Sequence, residues 1–148
     1  MSSITYEVEV DENITTWKLN GKFHRTNGPA VEYADGSKEW YLNGKIHRVG
    51  GPAVERVGGS KEWYHNGKLH REDGPAFVGL NGVKAWWING QLHREDGPAV
   101  ECANGSKEWY LNDKQVTEEE HRIRTQPAME MTIAEIEQLL GKRIKVVK

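Results

Sequence analysis

Tryptophan recurs at Trp17, Trp40, Trp63, Trp86 and Trp109, each 23 residues after the last, and most of the intervening chain repeats with it. One unit reads Trp40-Tyr41-Leu42-Asn43-Gly44-Lys45-Ile46-His47-Arg48, two variable residues, Gly51-Pro52-Ala53-Val54-Glu55, three variable residues, then Gly59-Ser60-Lys61-Glu62. A fixed period of this length marks stacked units that cannot bury their apolar sides alone. Fold and function therefore belong to the array and to its exceptions.

Two turn series punctuate each unit. Asn20-Gly21, Asn43-Gly44, Asn66-Gly67 and Asn89-Gly90 form one, and Asp35-Gly36, Gly58-Gly59, Asn81-Gly82 and Asn104-Gly105 the other. Such pairs tolerate the positive φ angles of tight two-residue hairpins, so the unit reads as a β-meander. With Asn43-Gly44 as a two-residue loop, Leu42 faces Lys45, Tyr41 faces Ile46, Trp40 faces His47 and Glu39 faces Arg48. The same loop at Asp35-Gly36 sets Val31 opposite Trp40. One face then carries Val31, Tyr33, Trp40, Leu42 and His47, and the other Glu32, Glu39, Tyr41, Ile46 and Arg48. The recurring Trp marks the first as the buried side. With 36% of the 148 residues apolar, the core is expected to be thin and aromatic.

The ends depart from the pattern. Residues 1–16 read as an N-terminal cap strand around Tyr6-Glu7-Val8-Glu9-Val10, 17–112 as the array, 113–131 as a polar connector and 132–148 as a helix-strand cap. In that cap, Thr132-Ile133-Ala134-Glu135 is a capping box and Gly141 a helix stop. Ile133, Ile136, Leu139 and Leu140 share a helix side, and Arg143-Ile144-Lys145-Val146-Val147-Lys148 alternates as a strand. The expected fold is mainly β: an elongated antiparallel meander of hairpin repeats closed by this cap.

The stretch Asn43-Gly44-Lys45-Ile46-His47, then Gly51, then Gly59-Ser60-Lys61, with Tyr33-Ala34-Asp35-Gly36 in the preceding copy, resembles MORN-type repeats. The resemblance covers Trp17 to Asn112, with the Trp-Tyr pair and the Gly-Pro-Ala step as a variant. It implies hairpin arrays acting as scaffolds or binding surfaces, with no catalytic residues to carry across. This repeat style, together with the tail Met131-Thr132-Ile133-Ala134-Glu135-Ile136-Glu137, also resembles uncharacterised proteins of bacteriophages and large viruses.

A net charge of −2 gives no global attraction to nucleic acid, which is not the expected partner. The single cysteine, Cys102, rules out a disulfide framework, and no apolar run approaches about 18 residues. A cytoplasmic setting is the expectation, the host cytoplasm if the protein is viral.

His24, His47, His70 and His93 form a ladder, each followed by Arg25, Arg48, Arg71 or Arg94. Equivalent imidazoles in successive units stand roughly 10–15 Å apart, too far for one zinc, which needs ligands at about 2 Å. No metal or cofactor is expected. Arginines in a row suit phosphates, whereas Glu39, Glu62 and Glu108, opposite them in the assumed register, and Glu32, Glu55 and Glu101, one strand away, would consume that charge in salt bridges. Ser37, Ser60 and Ser106 follow turn glycines and read as turn residues rather than nucleophiles. No catalytic constellation is present, and the chain reads as a non-enzyme.

The sharpest exception is the stretch Phe77 to Ile88. Val78 and Ala85 stand where other units have glutamates, Val83 replaces serine and Trp87 replaces tyrosine. On the assumed faces Val78, Ala85 and Trp87 form one apolar patch rimmed by Arg71, Arg94, Glu72 and Glu95. It suits either a partner protein or the helix expected at 133–140. The functional expectation is a binding protein that engages a partner protein, in its most concrete version a phage-encoded inhibitor of a host protein. The alternatives are capture of a nucleotide-like anion by the His-Arg ladder, and a structural scaffold. Oligomeric state is left open.

Overall fold

The computed structural model describes residues 5–126 together with Ala134 and Gly141. Its strands are β1 (Glu7–Val10), β2 (Ile14–Leu19), β3 (Lys22–Phe23), β4 (Val31–Tyr33), β5 (Lys38–Glu39), β6 (Tyr41–Leu42), β7 (Lys45–Ile46), β8 (Val54–Glu55) and β9 (Lys61–Glu62). There follow β10 (Tyr64–His65), β11 (Lys68–Leu69), β12 (Phe77–Val78), β13 (Lys84–Ala85), β14 (Trp87–Ile88), β15 (Gln91–Leu92), β16 (Val100–Glu101), β17 (Lys107–Leu111) and β18 (Lys114–Val116), then helix α1 (Glu118–Thr125). A 12-stranded sheet runs β1-β2-β4-β5-β8-β9-β12-β13-β16-β17-β18, with β3 on β2, while β6-β7, β10-β11 and β14-β15 are separate hairpins. The chain is mainly β, a long antiparallel meander of short hairpins with a C-terminal helix. The helix-strand cap expected at 132–148 lies outside the described residues, except Ala134 and Gly141.

The first turn series has the expected form. Asn43 at φ 51° and Gly44 at φ 79° are both left-handed, and Tyr41 faces Ile46 and Leu42 faces Lys45. The second series differs. The Tyr33 amide donates to the Ser37 carbonyl and the Gly36 amide to the Tyr33 carbonyl, with Gly36 alone at positive φ, 92°. This is a three-residue loop, a type I turn closed by a glycine bulge. Val31 therefore faces Glu39, not Trp40, and a one-residue slip exchanges the faces.

The corrected register produces two rows of opposite character. One runs Val31, Glu39, Val54, Glu62, Phe77, Ala85, Val100, Glu108, and the other Glu32, Lys38, Glu55, Lys61, Val78, Lys84, Glu101, Lys107. The first is the more buried, with Val31 and Val54 each 2% exposed and Glu39 7%. The core is not the aromatic one expected: it is built from small residues, Ala30, Ala53, Ala76 and Ala99 at 0%, while the five periodic tryptophans are half-buried. Alanine at these sites lets neighbouring backbones close up, as when the Trp40 amide reaches the Ala53 carbonyl at 2.8 Å.

Glutamates inside this row need partners, because a buried carboxylate left unpaired is costly. Tyrosines two residues on supply them: Tyr41 Oη donates to Glu39, Tyr64 Oη to Glu62 and Tyr110 Oη to Glu108, each at 2.9 Å. Glu39 also receives Tyr33 Oη at 3.2 Å and pairs with Arg56 at 2.8 Å. Burial, then the bond to Glu62, pushes the Tyr64 hydroxyl up to about 12, so it remains a donor. In the exceptional unit Ala85 and Trp87 replace this pair together, removing the acceptor and the donor at once. The exchange predicts a coupled pair in the preceding unit. Glu62→Ala and Tyr64→Trp should each destabilise, and the double variant should be more stable than the sum of the two losses by about 1 kcal/mol in urea unfolding. Strict additivity would show that the pairs were exchanged independently.

The ends are capped by different means. Strand β1 pairs with β2 along its whole length, and Asp11 Oδ1 accepts the Asn13 and Ile14 amides to close the turn. At the other end α1 occupies part of the expected connector. Thr117 and Glu120 form its capping box, and buried His121 places Nε2 2.6 Å from the Arg94 carbonyl. Among the described residues no helix is long and apolar enough to cross a membrane.

Candidate functional site

Each His-Arg step begins where the first hairpin of a unit returns toward the sheet, and the Arg turns back over its own Trp. The guanidinium carbons of Arg25, Arg48, Arg71 and Arg94 lie 3.9, 3.8, 4.2 and 3.9 Å from the ring centroids of Trp17, Trp40, Trp63 and Trp86. The opposite side of each guanidinium rests on a glycine three residues on. A Cβ at Gly28, Gly51, Gly74 or Gly97 would stand only 2.9–3.1 Å from the Arg Cζ. Nη1 then donates to the carbonyl of the following proline, as from Arg48 to Pro52 at 2.9 Å.

The Gly-Pro step is thus the second half of a slot for arginine. The slot is completed by the glutamate seven residues after the Arg, in Arg25–Glu32, Arg48–Glu55 and Arg94–Glu101 at 3.1, 2.8 and 2.9 Å. These are the glutamates expected one strand away, not those expected directly opposite the arginines. The slipped turn register brings Glu32, Glu55 and Glu101 to them and leaves Glu39, Glu62 and Glu108 to the tyrosines.

The histidines work between units. Nδ1 of His24, His47, His70 and His93 accepts the backbone amide of Asn43, Asn66, Asn89 and Asn112, at 3.0–3.1 Å. An accepting Nδ1 places the ring proton on Nε2 in His47, His70 and His93, whereas His24 Nδ1 also lies 2.9 Å from Asn43 Oδ1. Burial, and secondarily the neighbouring His65, holds His47 below the usual imidazole range, in the neutral form this bond requires.

The structure divides the expected apolar patch. Val78 faces Lys61 and Lys84, whereas Ala85 faces Phe77 and Val100 on the opposite side of the sheet. Trp87, half-buried, borders a cavity of about 690 Å³ with Tyr64, Lys68 and Leu69. Arg71 and Arg94 line a different groove, on the Trp86 side. The five residues do not form one surface, because the assumed loop was one residue too short.

The Arg loops of successive units bound three equivalent open grooves. Their volumes are about 610 Å³ over Trp40, 530 Å³ over Trp63 and 670 Å³ over Trp86. Only the latter two are lined by carboxylates: Glu72 and Asp73 in one, with Glu95 and Asp96 added in the other. Sequence reasoning missed His65, which stands where other units have Leu19, Leu42, Ile88 or Leu111. Its ring lies 4.9 Å from that of His47 and 5.8 Å from that of His70. The signal was available as a polar residue in an apolar slot of the repeat. Among the described residues no three His, Cys, Asp or Glu side chains are grouped to hold a metal ion.

Compared with family models, with curated proteins and with solved structures, the chain has no match.

Proposed function

We propose that the protein is a non-enzymatic interaction protein that engages a partner protein through its repeat array. The observation that carries this is the row of equivalent open grooves, each floored by an indole and walled by loops of successive units. A row of shallow sites at regular spacing suits an extended partner surface, as in other solenoids, better than one small substrate. The MORN-like style of the repeat, and its likeness to phage and large-virus repeats, favour a phage-encoded inhibitor acting on a host protein in the cytoplasm. Sequestration of a nucleotide-like anion by the whole ladder is less well supported, since the guanidiniums are already held by Trp, proline carbonyl and carboxylate.

Native mass spectrometry of the protein isolated gently from its own cell tests this reading. A stoichiometric complex with a second polypeptide is expected, weakened when Val49→Asp and Leu80→Asp alter exposed side chains at 84% and 67% accessibility. A bound mass of nucleotide size, with no second polypeptide, would replace the proposal by the anion reading.

A further inference from the structure

The row Glu32, Lys38, Glu55, Lys61, Val78, Lys84, Glu101, Lys107 alternates in charge from strand to strand, and Val78 alone breaks the alternation. Cross-strand partners share a face, so Lys61 and Lys84 flank Val78, each about 4.8 Å away along the sheet. Among the described residues neither lysine has an ion pair within 4.0 Å.

The same substitution affects Arg71. In the other three units Nη1 of the Arg binds the glutamate at this rung. Arg71 has Val78 there instead. Its Nη1 keeps only a 3.4 Å contact with the Pro75 carbonyl, while its Nε binds the exposed Asp73 as Arg94 Nε binds Asp96 in a unit that keeps its rung glutamate. Val78 thus stands between Lys61 and Lys84 in the register, at the position where the sister units give the Arg a carboxylate, and Arg71 lacks that partner. Beside that rung lies an exposed apolar ledge: Leu80, which rests against Gly58, and Val57, at 67% and 68% exposure.

We propose that this rung binds an acidic side chain of a partner polypeptide, whose carboxylate takes the place of the absent glutamate between Lys61, Arg71 and Lys84. This rests on the protein-partner reading and names the chemistry that the partner must present. A carboxylate fits because three sister rungs hold one in the same Arg geometry. A peptide fits better than a free anion because Val78, Val57 and Leu80 offer contact to neighbouring aliphatic groups, which a small ion does not use.

The probe is a capped hexapeptide alternating glutamate and leucine, titrated at low salt into isotope-labelled protein and followed by amide chemical shifts. Saturable changes centred on Lys61, Arg71, Val78 and Lys84 are expected, and Val78→Glu should raise Kd by about tenfold or more. The reverse substitution, Glu55→Val, should create a second such site at Lys38, Arg48 and Lys61. If Val78→Glu does not fold, Lys84→Gln, at an exposed residue outside the arginine slot, serves as the variant that weakens binding. Shifts centred elsewhere, or unaltered by these substitutions, overturn the proposal. So does inorganic phosphate that reproduces the shifts and displaces the peptide, since the site would then take a free anion. A native complex unchanged by Val78→Glu overturns the rung alone and leaves the broader interaction reading standing.

Discussion

Arg48→Lys is expected to destabilise the array by about 2 kcal/mol, nearly as much as the roughly 3 kcal/mol expected of Arg48→Ala. The reason is the shape of the slot. Arg48 Cζ lies over the Trp40 ring at 3.8 Å and close against Gly51, and Nη1 serves both the Pro52 carbonyl at 2.9 Å and Glu55 at 2.8 Å. An ammonium has no plane to fill the gap between indole and glycine, and keeps its charge while losing most of this arrangement. The Arg48 side chain is 30% exposed, so the ion pair itself is discounted for screening and most of the effect is assigned to stacking and the carbonyl bond. Urea midpoints of the wild type and both variants check this. A lysine variant as stable as the wild type would mean that charge alone holds the loop.

Trp63→Ala is expected to cost about 3 kcal/mol and clearly more than Trp17→Ala. Trp63 carries Arg71 on one face and floors the groove bounded by Arg48 and Arg71, so its removal frees contacts in two neighbouring units. Trp17 carries Arg25 but lies in β2, with only β1 on its outer side. Because the tryptophans are half-buried, the loss should fall at the low end of the range for buried aromatic truncations. The measurement is again the urea midpoint. Equal, small shifts for both variants would show that the indoles serve as exposed surface rather than as platforms.

The period, the first turn series, the places of the second, the meander and the strand at Glu7–Val10 were legible because they depend on local chemistry. Asn and Gly in sequence accept left-handed backbone, and the structure uses them so. The faces were not legible. Asp35-Gly36 is compatible with a two-residue loop and with a three-residue loop ending in glycine, and nothing within the turn decides between them. The sheet decides, since the longer loop places Val31 and Val54 in the interior and gives Glu39 three donors.

Helix α1 was legible but overlooked: Thr117-Glu118-Glu119-Glu120 is itself a capping box. The His-Arg ladder was identified as repeated chemistry with glutamates to pair it, but the Trp, Gly and proline carbonyl that hold each Arg were not. An arginine eight residues after a tryptophan and three before a glycine shows its stacked arrangement only once the chain has turned back.

Trp40, Arg48, Gly51, Pro52 and Glu55 all belong to one period, so the slot is closed within each unit, whereas successive units meet through backbone bonds such as Gly44 amide to Phe23 carbonyl, through the histidines and through pairs such as Tyr41 with Glu39. Stability and identity are thereby separated. The Arg slot of a unit does not depend on which side chains its neighbours display, so one copy is free to change its outward residues, as the Phe77 to Trp87 stretch has done, provided that residues paired across a boundary change together, as Ala85 and Trp87 have. The array behaves as a ruled strip on which a distinctive mark can be placed at a chosen distance from either end.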